Sequence, residues 1–274
     1  MNKQWSALQK ISSGSRSRFM SVLSAETVLG VAVRIVLTIP VWVVPLMGAT
    51  KSTVFTSGFE SGFTGWKKEL CCKDSATIVS SPKRAGEHAV KFTLRKDDPK
   101  RRAELRQGSV PANSEHWYGF SNLVPANYAK DRSYEIVAQW HEMPDRDLGE
   151  PWRRPPLTLS IRNDRFGVSN RWDPKPLSVK FKEAGSQSWD LGTVPKGDWT
   201  DWVFHVKWSH KSDGLVEVWK NGQLVVRKTG PNTYNDKKGP YFKIGIYKPD
   251  WKADPEKSTT TQRVIYYDQI QVRS

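Results

Sequence analysis

Cysteine is almost missing from this 274-residue chain: the two it has, Cys71 and Cys72, are neighbours in "KELCCKDS". A covalent staple across a fold needs cysteines far apart in sequence, and a closed metal centre needs more ligands at wider spacing, so neither is expected. The pair is left as a vicinal disulfide or as two inert thiols. Runs of helical period are missing too, as are internal repeats and any linker-like stretch between residues 52 and 274, which argues against an alternating α/β architecture. No zinc-finger spacing and no aromatic RNA-binding pattern occurs, so the familiar nucleic-acid modules are excluded. No stretch carries acids in the E-x-D-x-x-E arrangement, which puts hydrolysis by paired carboxylates last among the enzymatic options.

What is present reads as strands. "HAVKFTL", "SYEIVAQW", "LTLSIRN", "DWVFHVKWS", "LVEVWKNGQLVV", "YFKIGIY" and "RVIYYDQIQV" are rich in β-branched and aromatic residues and bounded by Gly, Pro, Asp and Asn. Asn221-Gly222 marks a two-residue hairpin, because both residues tolerate the positive φ of a type I′ turn. Many strands and hairpins without intervening helices predict an all-β sandwich or jelly roll, with residues 50–274 as one domain. A hydrophobic share of 37% with 13 Trp is ample for its core.

The first 49 residues differ. Lys3, Lys10, Arg16 and Arg18 precede "TVLGVAVRIVLTIPVWVVPLMGA", which ends in small residues, so a secretory leader cut near Ala49 is expected. The alternative is an uncleaved membrane anchor, which Arg34 and two prolines make a poor one. Either way the protein is exported, secreted or periplasmic, or held at a membrane through this segment. The formal charge is +15; five of the 43 basic residues and one of the 28 acidic ones lie in the first 49 positions, leaving +11. Such an excess suits a polyanion, and export favours acidic polysaccharide over nucleic acid. A solvated basic surface without a partner is the plain alternative.

The period of two places chemistry on one face of three strands. In "RAELR", Arg102, Glu104 and Arg106 oppose Ala103 and Leu105. In "IVAQWH", Gln139 and His141 oppose Ile136, Ala138 and Trp140. In "YFKIGIY", Tyr241, Lys243 and Tyr247 oppose Phe242, Ile244 and Ile246, with Gly245 leaving open space on the polar face. As neighbours in one sheet these strands make a polar floor backed by a core. Arg, Gln, His, Lys and Tyr without paired acids suit removal of a proton beside a carboxylate: donors neutralise the carboxylate, a His or Tyr takes the C5 proton, and a Tyr protonates the leaving oxygen. That is β-elimination in a uronic-acid polymer, itself a polyanion. Trp152 and Trp172, read as loop residues, are candidates for stacking on sugar rings; Trp140, Trp202, Trp208 and Trp219 read as core. "EPWRRPP", residues 150–156, reads either as a lid or as a surface connection.

These blocks also resemble a known family. "RAELR", "AQWH" and "YFKIGIY" are similar to the R-x-E-L-R, Q-x-H and Y-F-K-x-G-x-Y patterns of jelly-roll alginate lyases. "FESGFTGW", "QWHEMPD" with "PPLTLSIRN", and "FHVKWSHKSDGLVEVWKNGQLV" resemble more closely the heparin-lyase-like and glucuronan-lyase-like polysaccharide lyases. The resemblance runs from Phe55 to Val272. It implies a concanavalin A-like β-jelly-roll sandwich and a lyase that leaves an unsaturated uronate end on a glucuronan-, heparin- or hyaluronan-like chain. It further implies that Arg102 and Gln139 bind the carboxylate, that His141 is the base or its neutraliser, and that Tyr247 is the acid, or acid and base. Lys243 would contact substrate, with Arg106, Glu104 and Tyr241 lining the same face. Ile244 and Ile246 stand where alginate enzymes carry smaller residues, and Pro249 replaces a Gln, which points away from alginate. No cofactor is required on this reading; some jelly-roll lyases hold a structural calcium, for which this sequence assigns no ligands. A monomer is expected. The rival readings are a lectin-like binding module on the same face and, third, a jelly-roll glycoside hydrolase.

Overall fold

A computed structural model describes residues 52–179 and 181–274; the leader or anchor expected over residues 1–49 lies outside the described residues. Among the described residues no helix is long and apolar enough to cross a membrane. Strands follow one another as β1 (Thr53–Ser57), β2 (Lys67–Leu70), β3 (Ala76–Val79), β4 (Ala89–Arg95), β5 (Arg102–Pro111), β6 (Glu115–Leu123), β7 (Glu135–Met143) and β8 (Leu157–Arg162). They continue as β9 (Arg165–Trp172), β10 (Gly185–Thr193), β11 (Trp199–Lys207), β12 (Leu215–Lys220), β13 (Gln223–Thr229), β14 (Lys238–Tyr247) and β15 (Gln262–Arg273), with one short helix, α1 (Asp250–Ala253).

Two sheets result, one ordered β13-β12-β11-β6-β15-β4-β3 with β1 beside β15, the other β10-β9-β8-β7-β14-β5-β2. Every pairing between these strands is antiparallel. Consecutive strands pair at the sheet edges, as in β7-β8-β9-β10 and β11-β12-β13, while the central pairings β6-β15, β15-β4, β7-β14 and β14-β5 join strands far apart in sequence, as the crossovers of a jelly roll require. The hairpin at Asn221-Gly222 has the positive φ at both residues that the dipeptide implies.

Alternation sends one side of each strand inward. Trp140 of β7 lies 4.5 Å from Phe204 of β11 and 5.3 Å from Tyr118 of β6, ring centre to ring centre, and Phe242 of β14 lies 5.7 Å from Phe120. All are buried, so the two inner faces interlock through aromatic rings, each such pair contributing about 0.5–1.5 kcal/mol beyond its burial. Trp202 and Trp208 are core as expected, but Trp219 is not. Val216 and Val218 take the inward positions of β12, which turns Trp219 outward, where it stacks on Trp117 at 5.5 Å.

One end of the second sheet is pinned by buried charge. Arg263 donates twice to Glu135, at 2.8 and 2.7 Å, and Lys248, just past β14, lies 3.0 Å from Asp131. Partnered this way such charges hold; stripping one partner leaves an uncompensated buried ion.

Candidate active site

Strands β7, β14 and β5 are adjacent in the second sheet, and their polar faces merge into one floor. Register fixes who meets whom. Lys243 stands opposite both Gln139 and Arg106, Tyr241 opposite His141, and Tyr247 opposite Arg102. Tyr241 and Tyr247 are six residues apart on β14, roughly 20 Å of strand. The floor therefore has two ends.

At the first end His141 is held on three sides. Its Nδ1 lies 2.6 Å from Oε2 of Glu142, whose side chain is fully buried. The backbone carbonyl of Glu142 accepts from Nδ1 at 3.3 Å, which fixes the tautomer with its proton there and leaves Nε2 as the basic nitrogen, with the Glu142 carboxylate charge close beside it. The ring stacks on Tyr241 at 5.6 Å and meets the edge of Trp152 at 5.4 Å. Arg106 sits over the Tyr241 ring at 5.3 Å. Burial pushes the Tyr241 phenol well above its ordinary pKa, and the Glu69 and Glu142 carboxylates push the same way, so the phenol keeps its proton.

The middle of the floor is an ion layer. Lys243 is completely buried, with Nζ 2.8 Å from Glu104 and 2.7 Å from Glu69. Glu104 also accepts a hydrogen bond from the Gln139 amide and lies 3.6 Å from Arg102. Glu69, on the edge strand β2, reaches Arg102 and Arg106, each at 2.9 Å. Burial alone raises the Glu69 pKa; Lys243 and Arg102 outweigh it and hold the carboxylate below its ordinary value. At the second end the Arg102 guanidinium covers the Tyr247 ring at 4.6 Å, and Arg101 Nε donates to the Tyr247 hydroxyl at 3.5 Å.

Comparison with known proteins turns this floor into a family assignment. A model of the polysaccharide lyase family matches residues 55–271. The chain belongs to that family. Among solved structures, an endo-β-1,4-glucuronan lyase from the fungus Trichoderma reesei is 21% identical, with a TM-score of 0.67 over 81% of this chain and 96% of its own. Alginate lyase A1-II′, of polysaccharide lyase family 7, is 14% identical with a TM-score of 0.56, covering 80% of this chain and 99% of its own. The cellulose-induced protein Cip1 is 15% identical, with a TM-score of 0.50 over 80% and 96%. At these identities the likeness is one of fold, the jelly roll. No curated protein sequence matches the chain.

In this lyase several residues sit elsewhere than the sequence suggests. Arg102 and Tyr247 share the floor with His141 but occupy its far end, because alternation assigns a face and says nothing of position along the strand. Tyr241 and Arg106 are the residues beside His141. Lys243, Glu104 and Gln139, expected to touch substrate, are buried beneath the surface, at 0%, 2% and 1% exposure. Gly245 leaves no open space: at φ +133° its missing Cβ would lie 2.1 Å from the Ala103 carbonyl oxygen, and a bulge in β14 against β7 falls here. Trp172 ends β9 rather than lying in a loop. It shares the inward side of Phe166 and Val168, and Lys228 covers its ring at 4.3 Å.

Three contributors carried no sequence signal. Glu69 lies in a four-residue strand without a motif, and only the pairing of β2 with β5 brings it in. Glu142 follows His141 directly and belongs by simple alternation to the other face; its adjacency in "QWHEM" was the available hint. Arg153, inside "EPWRRPP", is fully buried at its side chain and pairs with Glu150 at 3.0 Å and Asp236 at 2.7 Å, while its backbone N–H donates to Glu142 at 2.6 Å. Burial pushes the Asp236 carboxyl up to about 7, against the pull of Arg153. The segment is a pinned connection that holds the exposed Trp152 beside His141, with Arg146 over the indole at 5.2 Å.

Proposed function

We propose that this lyase cleaves a uronic-acid-containing polysaccharide by β-elimination, with the proton chemistry at the His141–Tyr241 end of the floor. The observation that carries the reading is His141 tied through Nδ1 to the buried Glu142 and stacked on Tyr241, with Arg106 alongside. Arg106, still partly exposed, pairs with the C6 carboxylate and withdraws its charge, which stabilises the enolate-like state. Nε2 of His141 takes the C5 proton. The electron pair forms the C4=C5 bond as the C4–O4 bond breaks, and the Tyr241 hydroxyl delivers its proton to the departing oxygen. Water returns the proton from His141 to Tyr241. Glu104 and Glu69 hold Lys243 beneath these groups, and Gln139 donates to Glu104, which keeps the floor rigid.

The Arg101, Arg102 and Tyr247 end supplies cations for a further uronate of the same chain, in keeping with the +15 charge. Glucuronan is the first polymer to test, since the neighbour with a TM-score of 0.67 is a glucuronan lyase, and Ile244, Ile246 and Pro249 depart from the alginate pattern. The first 49 residues deliver or anchor the enzyme outside the cytoplasm on this reading. One observation favours the rival binding module: Lys243, with the Gln139 amide N–H beside it, is already spent on carboxylates within the floor.

Purified protein is followed by ultraviolet absorbance of a new unsaturated uronate on glucuronan, alginate, hyaluronan, heparin and heparan sulfate. Absorbance should rise on glucuronan. A flat trace on all five with retention on a polyanion column would replace elimination by binding.

A further inference from the structure

Both thiols of the cysteine pair aim at one carboxylate. The chain turns sharply after β2, and Cys71 and Cys72 donate to Oδ2 and Oδ1 of Asp98, at 3.2 and 3.3 Å. Both cysteines are free and partly exposed, so of the two forms expected for them the disulfide is not the one present. Among the described residues this is the one group of three His, Cys, Asp or Glu side chains whose ligand atoms all lie within 4.8 Å of one another.

We propose that Cys71, Cys72 and Asp98 form a binding site for a zinc-class divalent cation. Two sulfurs and an oxygen are a donor set that zinc and cadmium accept, with metal–sulfur bonds of about 2.3 Å and metal–oxygen bonds of about 2.1 Å. Around a tetrahedral ion those bond lengths put sulfur and oxygen about 3.6 Å apart, so the thiol–carboxylate contacts need open by only a few tenths of an ångström. Partial exposure leaves room for water as the fourth ligand.

The chemistry balances as an exchange: one divalent cation replaces the two S–H protons, which leave to solvent, and the carboxylate changes from hydrogen-bond acceptor to ligand. Without metal, burial pushes the Cys71 thiol up to about 12, with Asp98 adding to the rise. A cation reverses that logic, because the same carboxylate then joins the thiolates around a positive charge. The site would tie the end of β2, which carries Glu69, to the turn that runs from Asp98 to Arg101 and Arg102. It thereby stiffens the Tyr247 end of the floor without touching His141.

The test is titration of cadmium into the full chain, reduced with a phosphine, following the ultraviolet charge-transfer band of cadmium bound to thiolate. The expected result is saturation at one equivalent, with zinc displacing the band. Cys71→Ser and Cys72→Ser should each abolish saturable binding, and Asp98→Asn, which keeps an oxygen for the Arg95 N–H, should weaken it at least tenfold. No band in the folded chain would overturn the proposal, as would an affinity unchanged in Asp98→Asn with a native circular dichroism spectrum. A band that appears only after urea unfolding would overturn it as well.

Discussion

The two ends of the polar floor are made of similar residue types, and the proposed reaction gives them different work. Around His141 the charges are spent on one another: Glu142 takes Nδ1, and Tyr241 is a neutral phenol. What faces a ligand there is one guanidinium, Arg106, beside an imidazole and a phenol that point their polar atoms in fixed directions, suited to moving a proton. Around Tyr247 two guanidiniums cover a ring and keep donors to spare, suited to holding an anion. The buried Lys243, shared by Glu104 and Glu69, separates the two. A polyanion needs both ends, one to grip and one to react, held at a fixed spacing.

The sharpest way to break this comparison is to remove one phenol at a time. His141→Ala or Tyr241→Phe should lower kcat on the responsive polymer by about 10²–10⁴-fold, the range for losing a positioned acid or base. Tyr247→Phe should cost less than about tenfold and appear mainly in KM, since a gripping residue acts on ground state and transition state alike. Equal losses from Tyr241→Phe and Tyr247→Phe would erase the distinction between the ends.

Stability tests the layer between them. Lys243→Met leaves the buried Glu104 with only one cation, the more distant Arg102 at 3.6 Å, and should cost about 3 kcal/mol in urea unfolding. The double variant Lys243→Met with Glu104→Leu should recover much of that loss, because neither charge is then stranded. A smaller effect belongs to Glu142→Gln, which keeps the shape but removes the negative charge 2.6 Å from His141 Nδ1. A drop of about tenfold to a hundredfold in kcat with unchanged melting temperature is expected, below the cost of removing the acid or base itself.

Much of this arrangement was readable in the sequence, and the failures share a cause. Alternation in "RAELR", "IVAQWH" and "YFKIGIY" identified the three polar faces, and the three strands are indeed neighbours. Alternation supplies no register, and the resemblance names Tyr247 as the acid, whereas β14 sets Tyr241 opposite His141. Glu69 and Asp98 are long-range partners, brought in by an edge strand and a turn that no local pattern marks. The resemblance makes Lys243 a substrate contact, but two carboxylates converging from β2 and β5 make its complete burial tolerable.

Acid loosens both ends together, through the layer between them, and is the gentlest of these tests. Glu69 is held below its ordinary pKa in the folded chain, where Lys243 and Arg102 outweigh the opposing effect of burial. A depressed carboxylate stabilises the fold above its unfolded pKa of about 4.3, and that contribution is lost as pH falls through the lower folded value. Melting temperature should therefore decline as pH drops from 5 toward 3, and Glu69→Gln should flatten part of that decline while lowering stability at pH 7. Protonated Glu69 also frees Arg102 and Arg106, both bound to it at 2.9 Å. Affinity for a polyanion that keeps its charge, such as a sulfated polymer, should consequently rise over the same interval in the wild type and less in Glu69→Gln, while a parallel rise in both would place the titrating group outside the floor.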